Sequence, residues 1–221
     1  LDRCLTSLYK NAGYDNFEVI VIENNSTDPA TFAYYETLPS RFADCRVVYY
    51  KGAFNFSAIN NFGATFAEGE HLLLLNNDIE VLSHDFLREL LSYSQRPDVG
   101  AVGAKLYYPD DTIQHAGIIT GLGGYAGHSH KYHKRGGSGY MFRLATVQDF
   151  SAVTAACLLV RTAASPAAPM RTIPPKKHAL TPSMNVSTPC TGGRIFCTTP
   201  ITARRCRWIM RISARVGICG I

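Results

Sequence analysis

From Arg161 to its last residue the chain contains no aspartate and no glutamate. That excludes a carboxylate base or a carboxylate metal ligand from its carboxyl-terminal part. No window approaches ~18 consecutive apolar residues, which excludes a membrane-spanning helix. The opening Leu1-Asp-Arg-Cys lacks both the basic and the apolar region of a secretory leader, and it lacks Met. The expectation is therefore a fragment with no signal peptide. Cys190, Cys197, Cys206 and Cys219 are spaced too widely for a Cys-x-x-Cys zinc pattern. Cys4, Cys45 and Cys157 fall in apolar settings and read as buried thiols. A reducing cytoplasm suits all seven cysteines best, and membrane association is compatible with it.

The formal net charge of +5 hides a sharp division. Residues 1–160 hold all 17 acids against 12 Lys and Arg, a net of −5; the remainder holds ten basic residues and is +10. The same stretch carries four of the seven Cys and seven of the eleven Pro. The break predicts two parts. Residues 1–162 are long enough for one α/β domain with a sizeable core. Residues 163–221 show neither helical nor strand periodicity and are expected to be irregular, as an out-of-frame or misassigned end would be. A basic tail could bind nucleic acid or an anionic membrane through Arg204–Arg211. No recognised binding motif accompanies the charge, so no nucleic-acid partner is expected.

Periodicity gives the elements of the first part. Leu1, Cys4, Leu5, Leu8 and Tyr9 follow helical spacing over residues 1–11. Phe17–Ile22 is a buried strand. Asp28 before Pro29 has the form of an N-cap with proline at the first helical position, predicting a helix to about Leu38. Cys45–Tyr50 is the next strand. Residues 57–68 form a helix with Ala58, Ile59, Phe62, Phe66 and Ala67 inward. Leu72–Leu75 is a strand, and Ser83 is expected to cap a helix over about 84–95. Val99–Tyr108 is a further strand, Ile113–Thr120 is extended, residues 121–139 are a glycine-rich loop, and Phe150–Val160 is a last strand. Strand and helix alternate to about residue 95, which implies a mostly parallel sheet with helices on both faces. Because the chain starts on a helix, a strand before Leu1 is expected to be missing, leaving one side of the sheet exposed.

The segment His71-Leu-Leu-Leu-Leu-Asn-Asn-Asp78 carries the strongest chemical signal. A continuous apolar run reads as a strand buried on both faces. Its carboxyl end releases Asp78 where open α/β sheets place ligands. Mg²⁺ or Mn²⁺ wants oxygen ligands and often bridges a carboxylate to a diphosphate, so Asp78 is a candidate metal ligand. The alternative is a turn in which Asn76, Asn77 and Asp78 only cap the next element. His115 reads as a packed, hydrogen-bonded histidine. His128, His130 and His133 sit in a basic, glycine-rich segment and read as a solvated loop, with a transition-metal cluster as the alternative.

Three segments in order resemble the family 2 glycosyltransferases, which have the nucleotide-sugar-binding GT-A fold. They are Leu1–Leu8, Val19-Ile-Val-Ile-Glu-Asn-Asn-Ser-Thr-Asp28 and Leu72–Val81. Val99–Leu106, Ile113-Gln-His-Ala-Gly117 and Val153–Arg161 are similar to segments of bacterial polysaccharide, rhamnosyltransferase-like members. The resemblance covers residues 1–162 and implies an α/β GT-A domain, here incomplete. It implies inverting, metal-assisted transfer from a nucleotide-sugar donor, UDP- or dTDP-linked, to a glycan or lipid-linked acceptor. The implied donor-binding residues are Glu23, Asn24, Asn55, Asn60, Asn61 and Asn76, with Asp78 on a divalent metal, Mg²⁺ or Mn²⁺. The chain departs from the family in places: Glu23-Asn24 replaces Asp-Asp, Asn60 stands where a basic residue is usual, and Asn76 replaces the first carboxylate of Asp-x-Asp. The acidic segment that supplies the family's catalytic base has no counterpart after Arg161. A non-catalytic nucleotide-binding remnant is therefore a second reading. Neither the sugar nor the oligomeric state is legible.

Overall fold

The computed structural model describes residues 1–162 together with the strands 194–203, 209–214 and 216–220. Four α-helices occur among the described residues: α1 (Asp2–Asn11), α2 (Pro29–Arg41), α3 (Phe56–Ala64) and α4 (Phe86–Ser94). They alternate with β1 (Phe17–Glu23), β2 (Cys45–Tyr49), β3 (His71–Asn76), β4 (Ile79–Val81) and β5 (Val99–Tyr107). Short strands follow: β6 (Ile113–His115), β7 (Ile118–Thr120), β8 (Ala126–His128), β9 (Gln148–Asp149) and β10 (Cys157–Arg161). The last three are β11 (Arg194–Ala203), β12 (Ile209–Ala214) and β13 (Val216–Gly220).

The helices begin where local chemistry dictates. Asp28 accepts a hydrogen bond from the Ala30 amide at 2.9 Å, and Pro29 follows at the first helical position. Asn55 does the same for α3, accepting from Ala58 N at 3.0 Å. The helix α4 differs from expectation, because Asp85, not Ser83, occupies its N-cap, in a left-handed conformation. The helix α3 is also shorter than its apolar pattern, and Phe66 beyond it is partly exposed, edge-on to Phe62.

Burial on both faces explains the apolar strands. Along β1, Val19 and Val21 join a core with Leu5 and Leu8 of α1, Leu38 of α2 and Phe86 of α4. Ile20 and Ile22 point the other way and pack with Ile59 of α3. The strand β3 divides similarly: Leu73 and Leu75 face the first core, and Leu74 packs with Ala101, Val153 and Leu158. Successive side chains of a strand alternate between faces, so an apolar run needs helical cover on both sides.

The main sheet has the order β2-β1-β12-β13-β3-β10-β5-β11-β4. The pair β1–β2 is parallel, whereas β10 runs antiparallel to both β3 and β5. The gap expected beside β1 is occupied. The strand β12 pairs antiparallel with β1 from Phe17↔Ala214 to Ile20↔Arg211, and its Ile209 stands opposite Asn76 of β3. Parts of the stretch expected to be irregular thus have strand backbone. The rest of that stretch, with the Arg204-centred basic run, lies outside the described residues. The strand expected over Phe150–Val160 is confined to Cys157–Arg161. The extended segment 113–120 is broken into β6 and β7 at Gly117, whose φ is +93°.

Candidate functional site

The carboxyl ends of β1 and β3 lie on one row of the sheet. Continuing the β1–β12 register puts Ile22 opposite Ile209, and Ile209 pairs with Asn76. One strand therefore separates the two ends, a distance of about 9–10 Å at two strand spacings. Glu23 and Asn24 leave one side of this row; Asn76, Asn77 and Asp78 leave the other.

Glu23 is turned inward and only 3% exposed. Its carboxylate accepts from the Ser26 amide, from Ser26 Oγ at 2.8 Å and from the Tyr35 hydroxyl at 2.7 Å. Burial, with the hydrogen bond to Glu23, pushes the Tyr35 phenol well above its usual range. Glu23 thus ties the loop after β1 to α2 rather than facing open space. Asn24 follows, half-buried, and its Nδ2 donates to the carbonyls of Tyr50 at 3.0 Å and Gly52 at 2.9 Å. With both amide hydrogens committed, Asn24 offers a ligand its carbonyl oxygen, an acceptor. Asn25, at φ +57°, also donates to Gly52 O, at 3.0 Å.

The α3 amides serve the helix. Asn55 caps it, and Asn60 is fully buried with Nδ2 donating to Phe56 O at 2.7 Å. Asn61, the next residue, is half-buried on the same helix. Across the row, the backbone of Asn76 donates to Ala156 O at 2.9 Å, and its carbonyl accepts from Cys4 Sγ at 3.7 Å. The side-chain oxygens of Asn76 and Asn77 are buried and accept no hydrogen bond among the described residues. Asp78 is half-buried in the turn between β3 and β4. Its charge reaches Cys4, where it adds to the burial that raises that thiol to about 12.

The site thus offers oxygens: one carboxylate and two buried amide carbonyls. Among the described residues no three His, Cys, Asp or Glu side chains converge as a metal-binding group. Such a donor set fits a hard cation whose shell a diphosphate completes, not an all-protein cage. The histidines tie loops together. His115 is fully buried; its Nε2 accepts from the amides of Gly117 and Thr154, both at 3.3 Å, and its Nδ1 lies 2.9 Å from Nδ1 of His128. Since Nε2 accepts, Nδ1 carries the proton and donates to His128. Burial first, then His128, lowers the pKa of His115 to about 3. His130 accepts from the Tyr140 amide at 3.1 Å and bonds Ser129 Oγ at 2.7 Å. The Tyr35 and His128 partnerships, twelve and thirteen residues from their partners, have no periodic signal in the sequence.

With this geometry described, the relatives can be placed. The family profile described as glycosyl transferase family 2 matches residues 1–151. The chain belongs to glycosyl transferase family 2. It is 43% identical over 164 residues to the O-antigen biosynthesis protein RfbC of Myxococcus xanthus, covering 73% of this chain and 12% of that protein. It is 45% identical over 161 residues to the uncharacterized protein y4gI of Sinorhizobium fredii (strain NBRC 101917 / NGR234), covering 73% of this chain and 18% of that protein. The chain thus spans less than a fifth of the length of either relative. No solved structure matches. Among the described residues no helix is long and apolar enough to cross a membrane. The α/β architecture implied by the sequence resemblance agrees with membership.

Proposed function

We propose that residues 1–162 hold the nucleotide-sugar donor, UDP- or dTDP-linked, of a glycosyl transfer reaction to a glycan or lipid-linked acceptor in polysaccharide biosynthesis. The observation that carries this reading is the shared row. Asn24 offers an acceptor oxygen on one side, and Asn76 to Asp78 offer oxygens about 10 Å away on the other. A uracil or thymine imide N–H would donate to Asn24, and the diphosphate would lie towards Asp78. Asn76 and Asp78 would hold Mg²⁺ or Mn²⁺, which when bound supplies positive charge against the departing diphosphate. Glu23 acts through the loop, by fixing where Asn24 stands. Asn55 and Asn60 act through α3, by fixing its first turn beneath the donor, with Asn61 beside them. The last acidic side chain is Asp149. Any base that this chain supplies to an acceptor hydroxyl therefore precedes Phe150.

That confinement of the acids favours a second reading, a domain that binds nucleotide without transferring sugar. Calorimetric titration with UDP- and dTDP-sugars, with and without Mn²⁺, tests the donor site. Mn²⁺ is expected to tighten binding to the parent chain. Asp78→Asn is expected to remove about 10- to 100-fold of that affinity, as loss of a charged contact does, while Asn77→Ala matters much less. Equal enhancement by Mn²⁺ in the parent and Asp78→Asn would sink the assignment. Donor binding without sugar release or transfer would favour the second reading.

A further inference from the structure

The segment between β7 and β9 has a surface unlike the rest of the domain. No acidic residue lies between Asp111 and Asp149, although residues 1–160 as a whole are net negative. Lys131, Lys134, Arg135 and Arg143 fall in this interval, and all four are exposed. A turn at Tyr140–Phe142 presents three large side chains to solvent, with Tyr140 68%, Met141 77% and Phe142 69% exposed. Met141 and Phe142 stand at φ +49° and +59°, a region that side chains with a Cβ rarely adopt.

That turn is built, not frayed. The next residue but one, Leu144, is buried; its amide donates to Ser138 O at 2.9 Å, and its carbonyl accepts from Lys105 Nζ at 2.7 Å. The Tyr140 amide donates to His130 Nε2, which joins the turn to the basic strand of loop at Lys131–Arg135. There Tyr132 stacks on Tyr108 with ring centroids 5.5 Å apart, and Lys131 Nζ sits 5.0 Å from the Tyr132 ring. Arg135 pairs with Asp111 at 3.1 Å, which leaves Lys131 and Lys134 as the cations to neutralise in a test. Exposed Met, Phe and Tyr beside Lys and Arg, with no intervening acid, is the chemistry of a surface that enters a lipid headgroup layer. The rings occupy the acyl boundary, and the cations meet anionic headgroups.

We propose that the loop surface formed by Lys131, Tyr132, Lys134 and Tyr140–Phe142 docks the domain on an anionic lipid bilayer. Nucleic acid would use the cations but would leave the projecting Met141 and Phe142 without an apolar environment, so lipid is the occupant that uses the whole surface. The inference does not depend on the donor site.

Co-sedimentation of the full chain with vesicles tests it. The chain is expected to bind vesicles of phosphatidylcholine mixed with phosphatidylglycerol, and to bind pure phosphatidylcholine far more weakly. A basic side chain near such a surface contributes about fivefold in affinity, so Lys131→Gln with Lys134→Gln is expected to lose about 25-fold. Met141→Ser with Phe142→Ser is expected to lose about tenfold or more, with the charge unchanged. All four side chains are exposed, so unfolding midpoints in urea should match the parent. Binding by both double variants within about twofold of the parent would overturn the proposal and assign any attraction to the basic residues beyond Arg161. Loss in the lysine pair alone, together with equal affinity for an oligonucleotide, would overturn it in favour of nucleic acid.

Discussion

Acidification should weaken this fold through His115. The ring is fully buried, its Nε2 accepts two backbone N–H groups, and its Nδ1 proton faces His128, so a second proton has no acceptor. Its pKa falls from 6.5 to about 3 in the folded protein. Between those values the unfolded chain binds a proton that the folded chain refuses. Stability therefore falls as pH drops below 6.5 and levels off below about 3. At pH 5 the group is about 1.5 units below its unfolded value, a loss of about 2 kcal/mol. Against a typical total of 5–15 kcal/mol that is readily measured. His71, His128 and His130 are also lowered, chiefly by burial, and act in the same direction. The assay is urea unfolding by circular dichroism at several pH values, in the parent and in His115→Gln. The variant will be less stable at every pH, but the quantity of interest is the slope. The parent should lose about 2 kcal/mol more than the variant between pH 7 and pH 5. Parallel pH profiles would refute the reasoning.

Other consequences can be checked in the same way. Glu23→Gln weakens a carboxylate that accepts three hydrogen bonds, and should cost about 1–3 kcal/mol of stability by urea unfolding. Gly117→Ala forces a Cβ into the left-handed region and to 2.3 Å from the Phe150 ring, so a loss of about 1–3 kcal/mol is expected. A loss indistinguishable from zero would mean that the β6–β7 turn is not packed against Phe150. Cys4 and Cys45 are buried with thiols raised to about 12, and Cys157 is buried with them. Peptide mapping after brief alkylation should find all three unmodified until urea is added.

Much of the fold was legible because burial leaves periodic marks. The apolar runs of β1 and β3 specify strands covered on both sides, and Asp28-Pro29 marks a helix start to the residue. The misses have physical causes. Asp85 caps α4 through a left-handed backbone, which no side-chain pattern announces. Residues 150–156 are apolar because Val153 and Ala155 pack against Leu74 and Ala101 as irregular chain, not because they form a strand. The site was legible as residue types and less so as orientations. The Glu23 carboxylate was expected beside a nucleotide, yet it faces Tyr35, because a hydroxyl twelve residues away satisfies it. The placement of β12 between β1 and β3 had no periodic signal at all.

The Glu23 clamp bears on the thermodynamics of recognition. A loop that must be ordered by its ligand sets that ordering against the affinity, at about 0.5–1.5 kcal/mol for each rotamer-rich side chain immobilised. Here the loop after β1 is already held at Ser26, at Tyr35 and, through Asn24 and Asn25, at Gly52. A nucleotide arriving at Asn24 meets a pre-organised acceptor. Its association should therefore show little entropic penalty from this loop, and loosening the clamp should slow neither encounter nor departure so much as make the bound state entropically dearer.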